Sequence, residues 1–397
     1  MSRFKVYSPD QAYLLPPSVR DELGSDHLCF FVREVMERLD MSVFEQSYSA
    51  EGGELYAPQL MLGVWLYAYA LGISSARQVE RRLVEDLAFR FLAAGERVDN
   101  WALSAFRRRH GRALNDAFTQ VLEWAQQQGM VKLGRVAIDS TRIAANASKD
   151  RVDSDQALRA TRAALRRQVR AWQKEADRDD ASPDGLEVAI AELHKALDEM
   201  PRRMERLKKS GLKKLSRTDE EARFLRQRGG FVLGYTGEIA VSDDHFIVAQ
   251  RVTQNATDNA SLEPMLDQTE QRCGAPPGAA LADSGFFSID NLEQMEQRNI
   301  DGYVPDSNMA QALNLGARCR TRACRPAHRR MRAKLRSPAG AAAYARRKAI
   351  VEPVFGVLKQ QRGMRQFRTR GLKNVGNEFT LATLAYNITR MRSMRAA

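Results

Sequence analysis

The sequence predicts an α/β fold: a mixed sheet with flanking helices, preceded by an all-helical N-terminal domain at 1–130 and interrupted by a helical hairpin. Two short apolar runs rich in β-formers, at 136–139 and 279–283, are typical of buried strands, and each ends in an aspartate. Apolar residues recur at helical spacing in the first 130 positions. Residues 153–228 are instead rich in Ala, Arg, Lys, Glu and Leu, which is typical of long exposed helices. We therefore predict a second, α/β domain at 131–397 that carries this helical insertion.

Helix signals are clear in the N-terminal domain. Pro58 suits the first turn of one helix, and Asp99 is placed to cap a later one. The later helix carries Arg107, Arg108 and Arg109. Two helices around a short glycine-containing turn, with arginines on the second, are similar to a DNA-binding helix-turn-helix. An ordinary helical bundle with a solvated arginine face explains the same pattern equally well.

The predicted insertion is an antiparallel pair of helices. Steps of three and four residues between apolar positions give its second helix an apolar seam, which Pro201 interrupts. After the insertion we predict strands at 231–235, 238–241 and 245–252, with a hairpin turn at Asp243 and Asp244. A helix at 258–272, the strand at 279–283, a helix near 289–298 and a strand at 302–304 follow. A basic helix around Glu352 and an apolar helix near 379–388 complete the chain.

Positive charge is concentrated at the end of the chain. Residues 307–397 contain 21 Lys and Arg but only two carboxylates, Glu352 and Glu378, a balance of +19 against +13 for the whole chain. This distribution predicts that the last quarter binds a polyanion. A lone carboxylate in such a positive field, Glu352, ionises readily and can bind a metal ion beside bound phosphates. The pattern favours a nucleic-acid enzyme over a passive binder.

Three acidic residues are candidates for catalysis. Asp139 and Asp283 end the two predicted strands, and Glu352 lies on a late helix. Phosphodiester chemistry with two divalent ions needs about three convergent carboxylates, and carboxylate oxygens suit Mg²⁺ or Mn²⁺. Each residue also has a plain structural explanation. An aspartate after a strand often caps a turn or helix, and Glu352 before Pro353 could simply begin a helix.

The segments around these acids strongly resemble the DDE transposases of bacterial insertion sequences. The similar segments are Asp139-Ser140-Thr141-Arg142, 282–286, 344–359 (YARRKAIVEPVFGVLK), 368–372 (RTRGL) and Asn387, and 56–110 resembles the helical domain that precedes the catalytic core. The resemblance implies an RNase H-like core in which Asp139, Asp283 and Glu352 bind two Mg²⁺ (or Mn²⁺) ions. It also matches Tyr344, Arg347, Glu352 and Lys359 to the signature of the family.

Further residues are candidate DNA contacts. Lys359 lies seven residues after Glu352, near it on an ideal helix face, where it would hold a phosphate of the transposon end. The other candidates are Tyr344, Arg347, Arg362, Arg365, Arg368, Arg370, Arg107, Arg108 and Arg109.

The chain departs from the family in two places. Relatives often carry a longer cysteine-bearing segment before the glutamate. Here only Cys319 and Cys324 remain, and their spacing does not predict a zinc site. Relatives usually have Asn and Gln on the strand near Tyr235, where this chain has Thr236 and Glu238.

The predicted function is that of an insertion-sequence DNA transposase. It would bind the terminal inverted repeats of its element in double-stranded DNA, cleave by metal-dependent hydrolysis and join the 3′-OH ends to target DNA, as a homodimer in the synaptic complex. A catalytically inactive DNA-binding derivative and a stand-alone nuclease of the same fold are the alternatives. We expect no membrane partner and a cytoplasmic location, because the longest apolar run, at 60–73, is too short to span a bilayer and the N-terminus lacks an apolar signal segment.

Overall fold

The computed structural model describes residues 18–48, 55–176, 184–227, 229–316, 319, 323 and 325–396. Its N-terminal part is helical, as the sequence predicts. The helices are α1 (Leu28–Arg38), α2 (Ser42–Glu45), α3 (Pro58–Ala70), α4 (Ala76–Glu85), α5 (Leu87–Leu92), α6 (Asn100–Arg109) and α7 (Gly111–Gln127).

Helix α3 is the centre of this helical part. Its side chains are buried at every position from 61 to 69, because other helices pack around its whole circumference. The indole Nε1 of Trp65 donates a hydrogen bond to the carbonyl of Leu103 at 3.0 Å, which ties α3 to α6. The carboxylate of Asp99 accepts from the amide of Ala102 at 2.7 Å, so the predicted N-terminal cap of α6 is confirmed.

The described residues form eight strands. They are β1 (Arg135–Ala144), β2 (Val152–Asp153), β3 (Leu215–Ser216), β4 (Arg223–Gln227), β5 (Gly230–Ser242), β6 (Ile247–Thr253), β7 (Ala279–Ala282) and β8 (Asp301–Tyr303). The main sheet has the order β4-β5-β1-β7-β8, with β6 also paired to β5. Strand β1 is antiparallel to β5 and parallel to β7, and β7 is parallel to β8. This mixed sheet with flanking helices confirms the predicted RNase H-like fold.

Two strands are longer than the sequence predicts. Strand β1 does not end at Asp139 but continues to Ala144, because β5 pairs with it from Val136 to Ala144. Strand β5 is continuous where two strands were predicted. A Cβ atom on Gly234 would lie 2.1 Å from the carbonyl oxygen of Ile143, so glycine is needed where β5 crosses the end of β1.

The predicted helical hairpin is present as α8 (Asp155–Ala176) and α9 (Asp184–Ser210). Leu158 near the start of α8 packs in one small apolar cluster with Leu207 near the end of α9, so the helices are antiparallel. This cluster is separate from the main core, and β2 pairs with β3 at the base of the hairpin. The insertion is shorter than predicted, because β4 lies within 153–228 yet belongs to the main sheet.

The remaining helices cover the sheet and complete the chain. They are α10 (Leu262–Cys273), α11 (Ile289–Gln297), α12 (Ser307–Leu315), α13 (Pro326–Arg336), α14 (Pro338–Gly356) and α15 (Leu372–Arg395). Pro353 lies inside α14, so the expectation that a helix could begin at Glu352 is wrong. A π-helical segment, Val357–Gln361, follows α14 directly.

Helix α15 joins the helical part to the sheet. The side-chain amide of Asn387 makes two hydrogen bonds with the backbone of Ile247 in β6, at 2.9 and 2.8 Å. The amide nitrogen of Asn377 donates to the carbonyl of Arg107 at the end of α6. The N-terminal helices and the sheet consequently share one hydrophobic core. Within the described residues, no helix has both the length and the apolar character needed to cross a membrane.

Candidate active site

The sheet register brings Asp139 and Asp283 side by side. Ile138 of β1 pairs in parallel with Ala282, the last residue of β7. The next residue on each strand is therefore an aspartate, and neighbouring strands lie only about 4.8 Å apart. Beyond this point β7 ends, whereas β1 continues beside β5 alone. The end of β7 thus leaves room for a ligand in front of two adjacent carboxylates.

Helix α14 places a guanidinium and a phenol against this pair. The Nη1 atom of Arg347 donates to Oδ2 of Asp139 at 2.9 Å, and both side chains are largely buried. Tyr344 lies one turn earlier on α14. Burial raises the pKa of the Tyr344 hydroxyl, Arg347 opposes this rise, and the charges of Asp283 and Asp139 add to it. Tyr344, Arg347, Asp139 and Asp283 therefore form one electrostatic cluster.

The negative charge of this cluster is only partly neutralised. The pKa of Asp139 is raised to about 6: burial is the largest cause, Arg347 opposes the rise, and the neighbouring Asp283 adds to it. Two carboxylates thus share one guanidinium in a poorly solvated place, an arrangement that favours binding of an additional cation.

Glu352 lies apart from the two aspartates in this structure. It is exposed on α14, five residues after Arg347. Within the described residues, no group of three or more His, Cys, Asp or Glu side chains is close enough to hold a metal ion. The structure therefore brings together two of the three predicted acids and places the third on the helix that packs across them.

Lys359 contacts the same strand as Asp139. It lies in the π-helical segment after α14, and its Nζ donates to Oγ1 of Thr141 at 2.7 Å and to the carbonyl of Arg142 at 3.2 Å. The α-helical spacing assumed for Lys359 and Glu352 does not hold in this segment, since a π-helix has more residues per turn. The ammonium group of Lys359 lies over β1, just beyond the two aspartates.

Arg142 and Asp258 lie near the site, and the sequence predicted no role for either. Nη1 of Arg142 donates to Oγ1 of Thr236 at 2.5 Å and to Oδ1 of Asp258 at 3.3 Å. A Cβ atom on Gly285 would meet Asp283 Oδ1 at 3.0 Å and Asp258 Oδ2 at 3.2 Å, so Asp258 lies close to Asp283. Arg142 belongs to the quoted Asp139-to-Arg142 segment, but nothing in the sequence links it to an acid more than 100 positions later.

Thr236 and Glu238, which replace the family's usual Asn and Gln, have internal partners. Thr236 donates to the carbonyl of Asn255 at 2.9 Å. Glu238 is fully buried opposite Ser140 of β1, and its Oε1 accepts from Thr253 and Ser261. Both side chains support the strand beside the candidate site.

The loop 362–371 displays three exposed arginines, Arg365, Arg368 and Arg370. The buried carboxylate of Glu378 holds this loop, because it accepts from the amides of Arg368 and Thr369 at 2.8 to 3.0 Å. Arg362 differs from the other three. It is half-buried, its Nη2 donates to Thr389, and its guanidinium lies 5.6 Å from the ring centre of Tyr386. Its contacts are therefore internal.

The three N-terminal arginines also differ from one another. Arg107 is buried, and its Nη1 donates to the Tyr69 hydroxyl at 2.8 Å and to the carbonyl of Ser74 at 2.9 Å. Its guanidinium also lies 4.5 Å from the ring centre of Trp65. Arg107 therefore cannot act as the surface DNA contact predicted for it. Arg108 and Arg109 are exposed.

Of the two late cysteines, Cys319 lies within the described residues. Cys319 accepts through its carbonyl from Arg336, at 3.3 Å. Cys324 lies outside the described residues.

Two family models match the chain. The model of the Transposase DDE domain matches residues 132–388, which is well over half of the chain. The model of a Transposase domain (DUF772) matches residues 17–109, the helical part. No match was found among curated proteins or among solved structures. The matched core contains β1, β7 and α14 with the acidic pair between them, and the chain therefore belongs to the family of DDE-type transposases of insertion sequences.

Proposed function

We propose that this transposase is catalytically active on double-stranded DNA. It binds the terminal inverted repeats of its own element, cleaves phosphodiester bonds by attack of water, and joins the freed 3′-OH ends to target DNA. The proposal rests above all on the adjacency of Asp139 and Asp283 where β7 ends. Two protomers, each holding one end of the element, would form the synaptic complex.

DDE transposases depend in general on divalent metal ions, and the residues at this site suit them. Carboxylate oxygens are the ligands that Mg²⁺ and Mn²⁺ prefer. Arg347 pairs with Asp139, and the adjacent Asp283 raises the pKa of Asp139, so the two carboxylates favour a further cation. Asp139 and Asp283 would hold two ions together with Glu352, which lies apart from them in this structure and would have to approach. When bound, the ions would activate the attacking water and stabilise the leaving oxygen.

The neighbouring side chains have separate proposed roles. Arg347 fixes the orientation of the Asp139 carboxylate through its bond to Oδ2. Lys359 lies over β1 beyond the acidic pair, where its ammonium group would hold the phosphate next to the reacting bond. The exposed Arg365, Arg368 and Arg370, with Arg108 and Arg109, would contact the phosphates further along the duplex.

The test is a cleavage and joining assay on a duplex that carries one element end, with a supercoiled plasmid as target. Asp139→Asn, Asp283→Asn and Glu352→Gln should each lower cleavage by about 10³-fold or more, since the amides keep the shape but remove the charge. DNA affinity and folding should stay near wild type. The exposed Asp290 on α11 provides the control, and Asp290→Asn should cleave normally.

Each contrary result has a definite meaning. Wild-type cleavage by any one of the three variants would remove that residue from the site. A wild-type protein that binds element ends but does not cleave them with Mg²⁺ or Mn²⁺ would be the inactive DNA-binding derivative. Cleavage without joining to the plasmid would identify a stand-alone nuclease.

A further inference from the structure

Helix α8 of the hairpin carries a continuous row of cations. Steps of three or four residues place five of them on one face of the helix. They are Arg159, Arg162, Arg166, Arg170 and Lys174, which we call the basic stripe. The stripe extends over about 22 Å at 1.5 Å per residue. A further arginine, Arg167, lies beside it.

Most of the stripe has no anionic partner in the part of the chain that the structure describes. Arg159 pairs with Asp155, at 3.0 Å. Within the described residues, Arg162, Arg166, Arg170 and Lys174 form no ion pair with a carboxylate. Arg166, Arg170 and Lys174 are exposed, and Arg162 is half-buried. Among the described residues these four cations repel one another, and no carboxylate offsets that repulsion.

The second helix of the hairpin is different. On α9 the cations are interleaved with acids, including Glu192, Asp198, Glu199 and Glu205. An ordinary solvated helix face has this mixed composition. The positive charge of the hairpin is thus concentrated on α8, although packing alone does not require this, since the apolar seam uses other positions.

We infer that the basic stripe is a second binding surface for duplex DNA, separate from the candidate active site. A straight row of cations about 22 Å long matches the regular negative charge of a duplex backbone, in which phosphates recur every 3.4 Å of axis on each strand. Arginine suits this task because its planar fork pairs with phosphate oxygens. Such contacts carry no sequence information, so the stripe would bind flanking or target DNA as readily as an element end. The inference rests on the proposed function only in that DNA is the ligand.

The test measures binding of a fluorescein-labelled 40-base-pair duplex of arbitrary sequence, in EDTA, over a range of salt concentrations. The variant is Arg162→Gln, Arg166→Gln and Arg170→Gln together. If all three side chains contact phosphate, the slope of log K against log salt should flatten by up to about 2.7, at roughly 0.9 per contact. Affinity at moderate salt should fall at least tenfold. Since EDTA prevents cleavage, the result does not depend on whether the protein is catalytically active.

Two control variants separate charge from other effects. Replacing Lys195, Arg202 and Lys208 of α9 by glutamine removes the same charge from the same hairpin, where acids lie nearby, and should leave the slope nearly unchanged. Replacing the three stripe arginines by lysine keeps the charge and should restore the slope. All three variants should keep the wild-type circular dichroism, because the substituted side chains are exposed, apart from the half-buried Arg162.

Three results would overturn the inference. The first is a stripe variant whose slope matches that of the α9 control. The second is a lysine variant whose salt slope is as flat as that of the glutamine variant, since counterion release depends on charge. The third is an unchanged slope together with an altered sedimentation coefficient, which would make the stripe a contact between protein chains.

Discussion

Asp139 is a buried carboxylate held between an opposite and a like charge. Arg347 contacts it at 2.9 Å, and Asp283 is the equivalent residue after the neighbouring strand. Burial has the largest effect and raises its pKa from 3.8 to about 6. Because the folded state binds this proton more tightly than the unfolded state, Asp139 stabilises the metal-free protein fully below about pH 3.8, and this contribution is lost as the pH rises through 6.

The direction of this pH dependence gives a prediction for the metal-free protein. The free energy of unfolding of Asp139→Asn, compared with wild type, should increase between pH 4 and pH 7 by about 2–3 kcal/mol, because asparagine has no charge to bury. Urea unfolding in EDTA at several pH values measures the difference. A proton also competes with a cation for the carboxylate, so the affinity of the wild type for Mn²⁺ should fall as the pH is lowered through about 6.

The control for this experiment is Asp290→Asn, which changes an exposed aspartate on α11. The pH profile of this variant shows what the loss of an exposed carboxylate does on its own. A difference between Asp139→Asn and wild type that is constant from pH 4 to pH 7 would contradict the raised pKa.

Single residues could be predicted when their own neighbourhood in sequence carries the signal. Asp139 and Asp283 stand out because each follows an apolar run that forms a strand. The partners of Arg142 and Arg107 could not be predicted in this way. Asp258 lies 116 positions after Arg142, and Tyr69 lies 38 positions before Arg107, so only the tertiary fold decides these contacts. Arg107 is buried because of how the helices pack, and the residues around it in the sequence do not indicate this.

At the level of elements, the central strand β1 is longer than predicted, because polar residues follow Asp139 in the sequence. Ser140, Thr141 and Arg142 follow Asp139 and suggest a turn. Strand β1 nevertheless continues through them, because β5 pairs with them and polar partners contact Thr141 and Arg142. Pro353 likewise led to a wrong expectation about where a helix begins. Pro353 is a typical first residue of a helix, but here the α14 backbone continues past it and passes into a π-helical segment.

The hairpin can be removed as a unit if it has its own small core. Leu158, Met200, Leu207 and Leu215 form a cluster apart from the main one. Replacing residues 155–213 by a short Gly/Ser linker between β2 and β3 should therefore leave the rest of the chain folded. The thermal unfolding midpoint should fall by only a few degrees, since the shared core is untouched. Differential scanning calorimetry and near-ultraviolet circular dichroism check this expectation.

A longer replacement provides the control. Replacing residues 155–228 also removes β4, which pairs with β5, and with it the buried Leu225. The loss of a buried leucine alone costs about 2–5 kcal/mol, so this variant should be strongly destabilised. If the shorter replacement unfolds as readily as the longer one, the hairpin is part of the main core.

On the scale of the whole molecule, α15 explains why the chain is one compact body. It packs against α3, α7 and β6, and the helical part and the sheet share one cluster of buried side chains. The sequence predicts the helical part and the sheet correctly as elements. It does not reveal their common core, because an apolar helix such as α15 carries no sign of which partners surround it.

Some arginines of the last quarter make internal contacts and others lie at the surface. This difference decides which of them to replace in a test of DNA binding. Arg362 is half-buried and bonded to Thr389, whereas Arg365, Arg368 and Arg370 are exposed and form no ion pair with a carboxylate in the described part of the chain. Of these four arginines, only the exposed three are therefore expected to contact DNA.

Replacing Arg365, Arg368 and Arg370 by glutamine should weaken binding to a duplex element end and flatten its salt slope by up to about 2.7, because each phosphate contact contributes roughly 0.9. Fluorescence anisotropy titrations over about 50–300 mM salt, the range in which counterion release dominates, measure the slope. The matched control replaces Arg33, Arg298 and Arg330, which already pair with Glu37, Asp267 and Glu296, and should change the slope little. Arg362→Gln should instead lower stability and leave the slope unchanged. An unaltered slope in the first variant would place the duplex elsewhere on the protein, with the exposed Arg108 and Arg109 as the next surface to test.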